Sequence, residues 1–158
     1  MKYWEIDTIL FYGVLIILTI AVVCCICLTS CAPYYNVTQE ERDTLAKLVY
    51  LEAGTCGSQC QRAVASVVFN QLEAGYWGDT LEEVIYHKNT FSPAYLIATC
   101  EQPPQEIYDT VDYILSNGPT IPKEVRYFRT DYDFSWEGYT HYATYDNVYF
   151  GYFTNGYH

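Results

Sequence analysis

Within LAKLVYLEAGTCGSQCQRAVASVVFN, residues 45–70, one acid stands where an apolar residue is expected. Leu45, Leu48 and Val49 recur at the spacing of one helix face, and the next place on that stripe is Glu52. Gly54, two places on, is a natural helix stop, which puts Glu52 in the last turn. The carbonyl end of a helix disfavours an ionised carboxylate, and so does contact with apolar neighbours; both effects raise the pKa. A glutamic acid still protonated near neutral pH, with a pKa of ~6 as the usual target, can serve as general acid in glycosidic cleavage. The competing reading is a frayed helix-end charge, turned to water or paired with Arg62.

The elements around this residue follow from local signals. Thr38-Gln39-Glu40-Glu41 has capping-box spacing, so a helix is expected over about Gln39 to Ala53. A second helix, about Ser58 to Glu73, carries Ala63, Ala65 and Ser66 beside Val64, Val67 and Val68. Its small residues permit close approach, so the two should form a tight helical hairpin with Glu52 at the junction. Asp79 to Glu83 caps a short helix reaching Ile85 or Tyr86. Pro103-Pro104 opens another, Gln105 to about Ser116, with Ile107, Val111, Ile114 and Leu115 on its buried face. From Arg126 onward the texture is aromatic and strand-like: 125–129 and 147–153, with a turn at 136–139 between them. The expected architecture is mainly α (α+β): a helical domain over 38–158 with a small antiparallel β or aromatic element near its C-terminus. A hydrophobic N-terminal helix within 1–31 and a short polar tether, 32–37, precede it.

Residues Ile9 to Leu28 hold no charge and are about the length a bilayer core requires. They read either as a membrane anchor or as an export signal. In the second case Leu28-Thr29-Ser30-Cys31 resembles a lipoprotein box with Cys31 as the lipidated residue. Both readings place 32–158 outside the cytoplasm, at the cell membrane or wall. Beyond residue 31, seventeen acids face seven bases. That balance excludes a nucleic-acid footprint and gives no attraction to anionic polymers or lipids. Cys56, Cys60 and Cys100 are the cysteines of this part, and in an oxidising compartment one disulfide among them is expected, Cys56–Cys60 or either of these with Cys100. The histidines are scattered and Cys-x-x-Cys is missing there, so neither a metal nor another cofactor is expected.

LAKLVYLEAG, a short polar insertion and then AVASVVFNQL resemble the cell-wall hydrolases related to the spore-cortex-lytic enzyme of sporulating bacteria. That family typically reads L-A-x-x-V-Y-x-E-A, a Gly/Gln-rich turn, then A-V-A-x-V-x-x-N-R. Phe91-Ser92-Pro93, Tyr127-Phe128 and Asp146-Asn147-Val148-Tyr149-Phe150 extend the likeness over about Leu45 to Phe153. Two places differ: Gln71 stands for the arginine after Asn70, and Val148 for a histidine near the end. The resemblance implies a lysozyme-like fold, the peptidoglycan glycan strand as partner, and Glu52 as the catalytic acid.

On that footing Glu52 protonates the oxygen linking N-acetylmuramic acid to N-acetylglucosamine, then takes the proton of the muramoyl C6 hydroxyl as a 1,6-anhydro ring closes. One carboxyl suffices for such a lytic transglycosylase. The alternative, a hydrolytic muramidase or glucosaminidase, needs a second carboxylate at ~5–9.5 Å, and Asp131, Asp133, Glu137 and Asp146 are available, with Asp146 preferred and the others read as solvated loop charge. Ser92 reads either as a donor to the sugar's acetamido group or to Glu52, or as a turn hydroxyl before Pro93. Tyr127, Trp136, Tyr139 and Tyr149 suit stacking on pyranose faces, against the plainer reading of core aromatics, which Phe128 and Phe150 receive. Arg126 and Arg129 read as solvent-exposed charges, or as partners of peptide-stem carboxylates. Two further readings keep the scaffold without the reaction: a glycan-binding module, and a membrane-anchored interaction protein.

Overall fold

The computed structural model describes residues 12, 14–19, 32–130 and 137–154. Met1–Ala32 and Pro33–His158 are two separate compact units. In the first, residues 12 and 14–19 are helical; most of the expected span 9–28, and Cys31, lie outside the described residues. Among the described residues no helix is long and apolar enough to cross a membrane.

The second unit is an α+β fold. Helix α1, Gln39–Ala53, begins on the expected capping box: Thr38 N–H donates to Glu41 Oε2 at 2.8 Å, and Glu41 N–H donates to Thr38 Oγ1 at 3.2 Å. It buries Leu45, Ala46, Leu48, Val49 and Ala53. Helix α2, Ser58–Ala74, is the central element, and every residue from Ala63 to Gln71 is buried. A helix enclosed all round needs partners on several sides, and α2 packs on α1, on the short helix α3 (Leu81–Tyr86), and on α4 (Gln105–Asn117). Thr80 and Glu83 form a second capping box at α3. Arg42 on α1 grips Asp112 on α4 through two bonds of 2.6 and 2.7 Å.

The polar side chains inside α2 fix the course of the chain beyond α4. Ser66 Oγ accepts from Thr120 N–H at 2.9 Å. Asn70 Nδ2 donates to the carbonyls of Pro122 and Val125, and Gln71 Nε2 to that of Arg126 at 2.7 Å. Buried amides must find partners, and here they clip the segment 120–126 against the helix and aim the chain into strand β1. Asn70-Gln71, where the family pattern has Asn-Arg, is thus a structural clasp.

Strand β1 (Tyr127–Arg129) and two longer strands, β2 (Tyr139–Tyr145) and β3 (Val148–Phe153), make an antiparallel sheet of order β1-β3-β2. Phe128 lies opposite Phe150, and the β2–β3 pairing is interrupted by an irregularity between His141 and Ala143. The expected β1 and β3 are present. Strand β2 was not expected: its burial does not alternate cleanly along the strand, so it lacks the period-two signature that marks a half-buried strand. A 3-10 helix, Ala94–Thr99, packs on α1 and was likewise unmarked in the sequence.

One segment packs closely and one expectation is corrected. In the segment 32–37, expected as a polar tether, Tyr35 stacks on Phe69 with ring centroids 3.8 Å apart, its N–H donates to Leu115 O at 2.9 Å, and its hydroxyl donates to Glu73. Counting polar residues missed that a tyrosine carries enough apolar area to anchor a strand end. Cys56, Cys60 and Cys100 are free thiols, so the expected disulfide is not formed. Cys60 is fully buried in the core, where a thiol packs as a small apolar group.

Candidate active site

Glu52 lies in the last turn of α1, half-buried, with Ala53 enclosed beside it. Burial alone pushes its carboxyl up to about 7, from an ordinary value of 4.5. No hydrogen bond or ion pair to it occurs among the described residues. The Arg62 pairing is not formed, because that guanidinium sits 3.9 Å from the ring centroid of Tyr113 on α4. Gly54, which ends α1, keeps a right-handed conformation (φ −61°). Its lack of a side chain matters for space: a Cβ there would meet Tyr50 O at 2.4 Å and the Tyr50 ring at 2.8 Å.

The turn after Glu52 is tied to the far end of the chain. Gly57 N–H, at the start of α2, donates to Asp146 Oδ2 at 2.9 Å. Asp146 occupies the β2–β3 hairpin turn with φ 52°, a left-handed position that Asp and Asn tolerate. Gln61 reinforces the same turn by donating to Cys56 O at 2.8 Å. The thiols of Cys56 and Cys60 and a carboxylate oxygen of Asp146 all lie within 4.8 Å of one another. The sequence reading expected no metal from spacing alone, a test blind to an aspartate so far along the chain.

The other expected residues are scattered. Ser92 is exposed at the entry to the 3-10 helix, with no hydrogen bond to Glu52. Tyr139 is half-buried, its hydroxyl donating to Tyr149 O at 3.3 Å and its pKa pushed up to about 12 by burial. It lies over Gly151, where a Cβ would meet its ring and Thr140 O, so it reads as sheet packing. Tyr149 is half-buried on β3, 6.2 Å from the His141 ring. Trp136, Asp131 and Asp133 lie outside the described residues. Val148, in the family's histidine place, is buried and apolar.

Tyr127 has a different setting. It stands edge-on to Trp77 and lines a cavity of about 500 Å3 between α2, the 76–77 loop, the 87–91 loop and β1. Lys88, Arg126 and Gln71 line it too, whereas Glu52 does not. Trp77 and Lys88 carry no mark in the sequence and Gln71 stands out there only as a departure from the family pattern; Arg126, expected chiefly as a solvent-exposed charge, is half-buried.

A family model described as Cell Wall Hydrolase matches residues 57–151, well over half of the chain. The chain belongs to the cell wall hydrolase family. The matched stretch runs from the start of α2 into β3, so an enzyme acting on cell-wall peptidoglycan is the function class it carries. Glu52 and all of α1 precede it, and the role of Glu52 therefore rests on its own surroundings. No curated protein and no solved structure matches the chain.

Proposed function

We propose that this cell wall hydrolase is a lytic transglycosylase cutting between N-acetylmuramic acid and N-acetylglucosamine, with Glu52 as general acid and then general base. The observation that supports it is a half-buried carboxyl held near pKa 7 by desolvation, with no charged or hydrogen-bonding neighbour to occupy it among the described residues. At neutral pH such a group populates both protonation states, as a residue that donates and then retakes a proton must. The C6 hydroxyl of the muramoyl ring supplies the nucleophile, so no second carboxylate is required.

Hydrolysis is the second reading, and one observation favours it: Asp146 is drawn to the turn that follows Glu52. In that case Asp146 would activate water. Digestion of purified peptidoglycan with the full-length protein, read by mass spectrometry, decides between them. Fragments lacking one water at the muramoyl end support the transglycosylase, fragments with an intact reducing end support hydrolysis, and unimpaired lysis by Glu52→Gln would remove Glu52 from either mechanism. The reading also places the domain outside the cell membrane, held by residues 9–28 or by lipid on Cys31. Protease accessibility of the domain on intact spheroplasts checks that placement.

A further inference from the structure

We propose that the cavity beside Tyr127 is a binding site for the carboxylate-bearing part of the wall polymer, separate from Glu52. Its electrostatics run against the rest of the molecule. The chain carries nineteen acids and eight bases, yet none of the residues lining this cavity is acidic and two are basic, Lys88 and Arg126. Among the described residues neither cation has an ion-pair partner; Arg126 Nε donates to Lys123 O at 3.2 Å, and its guanidinium lies 5.8 Å from the Tyr76 ring. Two unneutralised cations on one concave surface favour an anion.

The remaining lining describes a sugar-and-amide ligand. Tyr76 is 54% exposed and offers a ring face, while Trp77 and Tyr127 meet edge-on behind it at 5.9 Å. Gln71 is 3% exposed and lines the cavity; its Nε2 is used by Arg126 O, but its Oε1 is buried without a hydrogen-bond partner among the described residues. An orphaned acceptor of this kind is costly and calls for an N–H or O–H donor. A muramoyl sugar has all three features: a ring face to stack, amide N–H groups to donate, and a carboxylate, either on the lactyl group or on the stem peptide that replaces it. The volume of about 500 Å3 accommodates one such unit. The identity of the ligand rests on the peptidoglycan reading above.

Three disaccharides that lack the muramoyl–glucosamine bond, and so cannot be cut at it, test the site by calorimetry on the full-length wild-type protein. These are the neutral N-acetylglucosamine dimer, N-acetylglucosaminyl-N-acetylmuramic acid with its free lactyl carboxylate, and the same unit carrying a stem peptide. At least one anionic ligand should bind about tenfold or more tightly than the neutral dimer. In Lys88→Met/Arg126→Met the difference should shrink to within about twofold, and Lys88→Arg should retain it. Preference for the lactyl form or for the stem form identifies which carboxylate is held. Equal affinity for neutral and anionic ligands, or a preference untouched by removing both cations, overturns the proposal. Lys88 is exposed, so Lys88→Met alone keeps the test open if the double variant does not fold. Because none of the ligands is cleaved, failure here leaves the role of Glu52 standing, and inactivity of Glu52→Gln says nothing for this cavity.

Discussion

At the residue scale, the proton on Glu52 has consequences apart from catalysis. Its carboxyl releases that proton near 4.5 when exposed and near 7 in the folded chain. Between those values the folded state binds more protons than the unfolded one, so stability falls as pH rises across the window and stays lowered above it. The full shift corresponds to roughly 3 kcal/mol at 1.36 kcal/mol per unit, and partial exposure reduces that to about 1–3 kcal/mol. Glu52→Gln should therefore be more stable than wild type by about this amount at pH 8 and nearly equal to it at pH 4. Urea melts at the two pH values check this, and a stability gap that does not change with pH would contradict it. Lysis should hold across most of that window and fall as pH rises through about 7, where the folded protein loses the acid form, and Glu52→Gln should lose ~100-fold or more in rate. Glu52 was legible in the sequence because it breaks an apolar stripe. Its freedom from Arg62 was not, since Tyr113, which takes that guanidinium, lies on another helix.

At the element scale, the β2–β3 hairpin has two jobs that substitution can separate. Asp146 holds a left-handed turn position and also accepts the Gly57 N–H of the α1–α2 turn. Asn tolerates the same backbone conformation and keeps an oxygen acceptor but lacks the charge. Asp146→Asn should stay folded, with stability within about 1 kcal/mol of wild type. If the reaction is a transglycosylation its rate should drop less than tenfold, whereas a loss of ~100-fold or more would mark Asp146 as a second catalytic carboxylate. Gly151 limits the sheet differently: a Cβ would lie 2.3 Å from Thr140 O and 2.5 Å from the Tyr139 ring. Gly151→Ala should cost about 1–3 kcal/mol in a thermal melt, and Tyr139→Ala should not restore it, since the backbone clash remains. The helices were readable because capping boxes and 3.6-residue periodicity are local. Strand β2 was not, because its place in the sheet is set by β3 and the Tyr139–Gly151 contact, neither of which leaves a periodic mark on residues 139–145.

At the scale of the whole molecule, charge is distributed in a way that no short window of sequence reveals. The cavity draws its lining from four separated segments, 67–71, 76–77, 87–91 and 126–128, and no one of them by itself marks a cavity. The clasp of Asn70 and Gln71 on segment 122–126 brings Arg126 to α2. Composition gives a net charge of −11, so a wall polymer rich in carboxylates repels the molecule at long range while two cations attract it locally. The two forces respond differently to salt. Repulsion acting over tens of ångströms is screened once the Debye length falls from ~30 Å at 0.01 M to ~8 Å at 0.15 M. Ion pairs inside a partly enclosed cavity are weakened more gradually and only at higher ionic strength. Lysis of sacculi by the full-length protein should accordingly rise with salt from 0.01 M, pass a maximum at intermediate ionic strength, and then decline. Lys88→Met/Arg126→Met should keep the rising limb, which belongs to the net charge, and lose most of the falling limb, which belongs to the cavity. A wild-type rate that falls steadily from the lowest salt would show instead that local attraction outweighs the acidic surface at every distance between the molecule and its polymer.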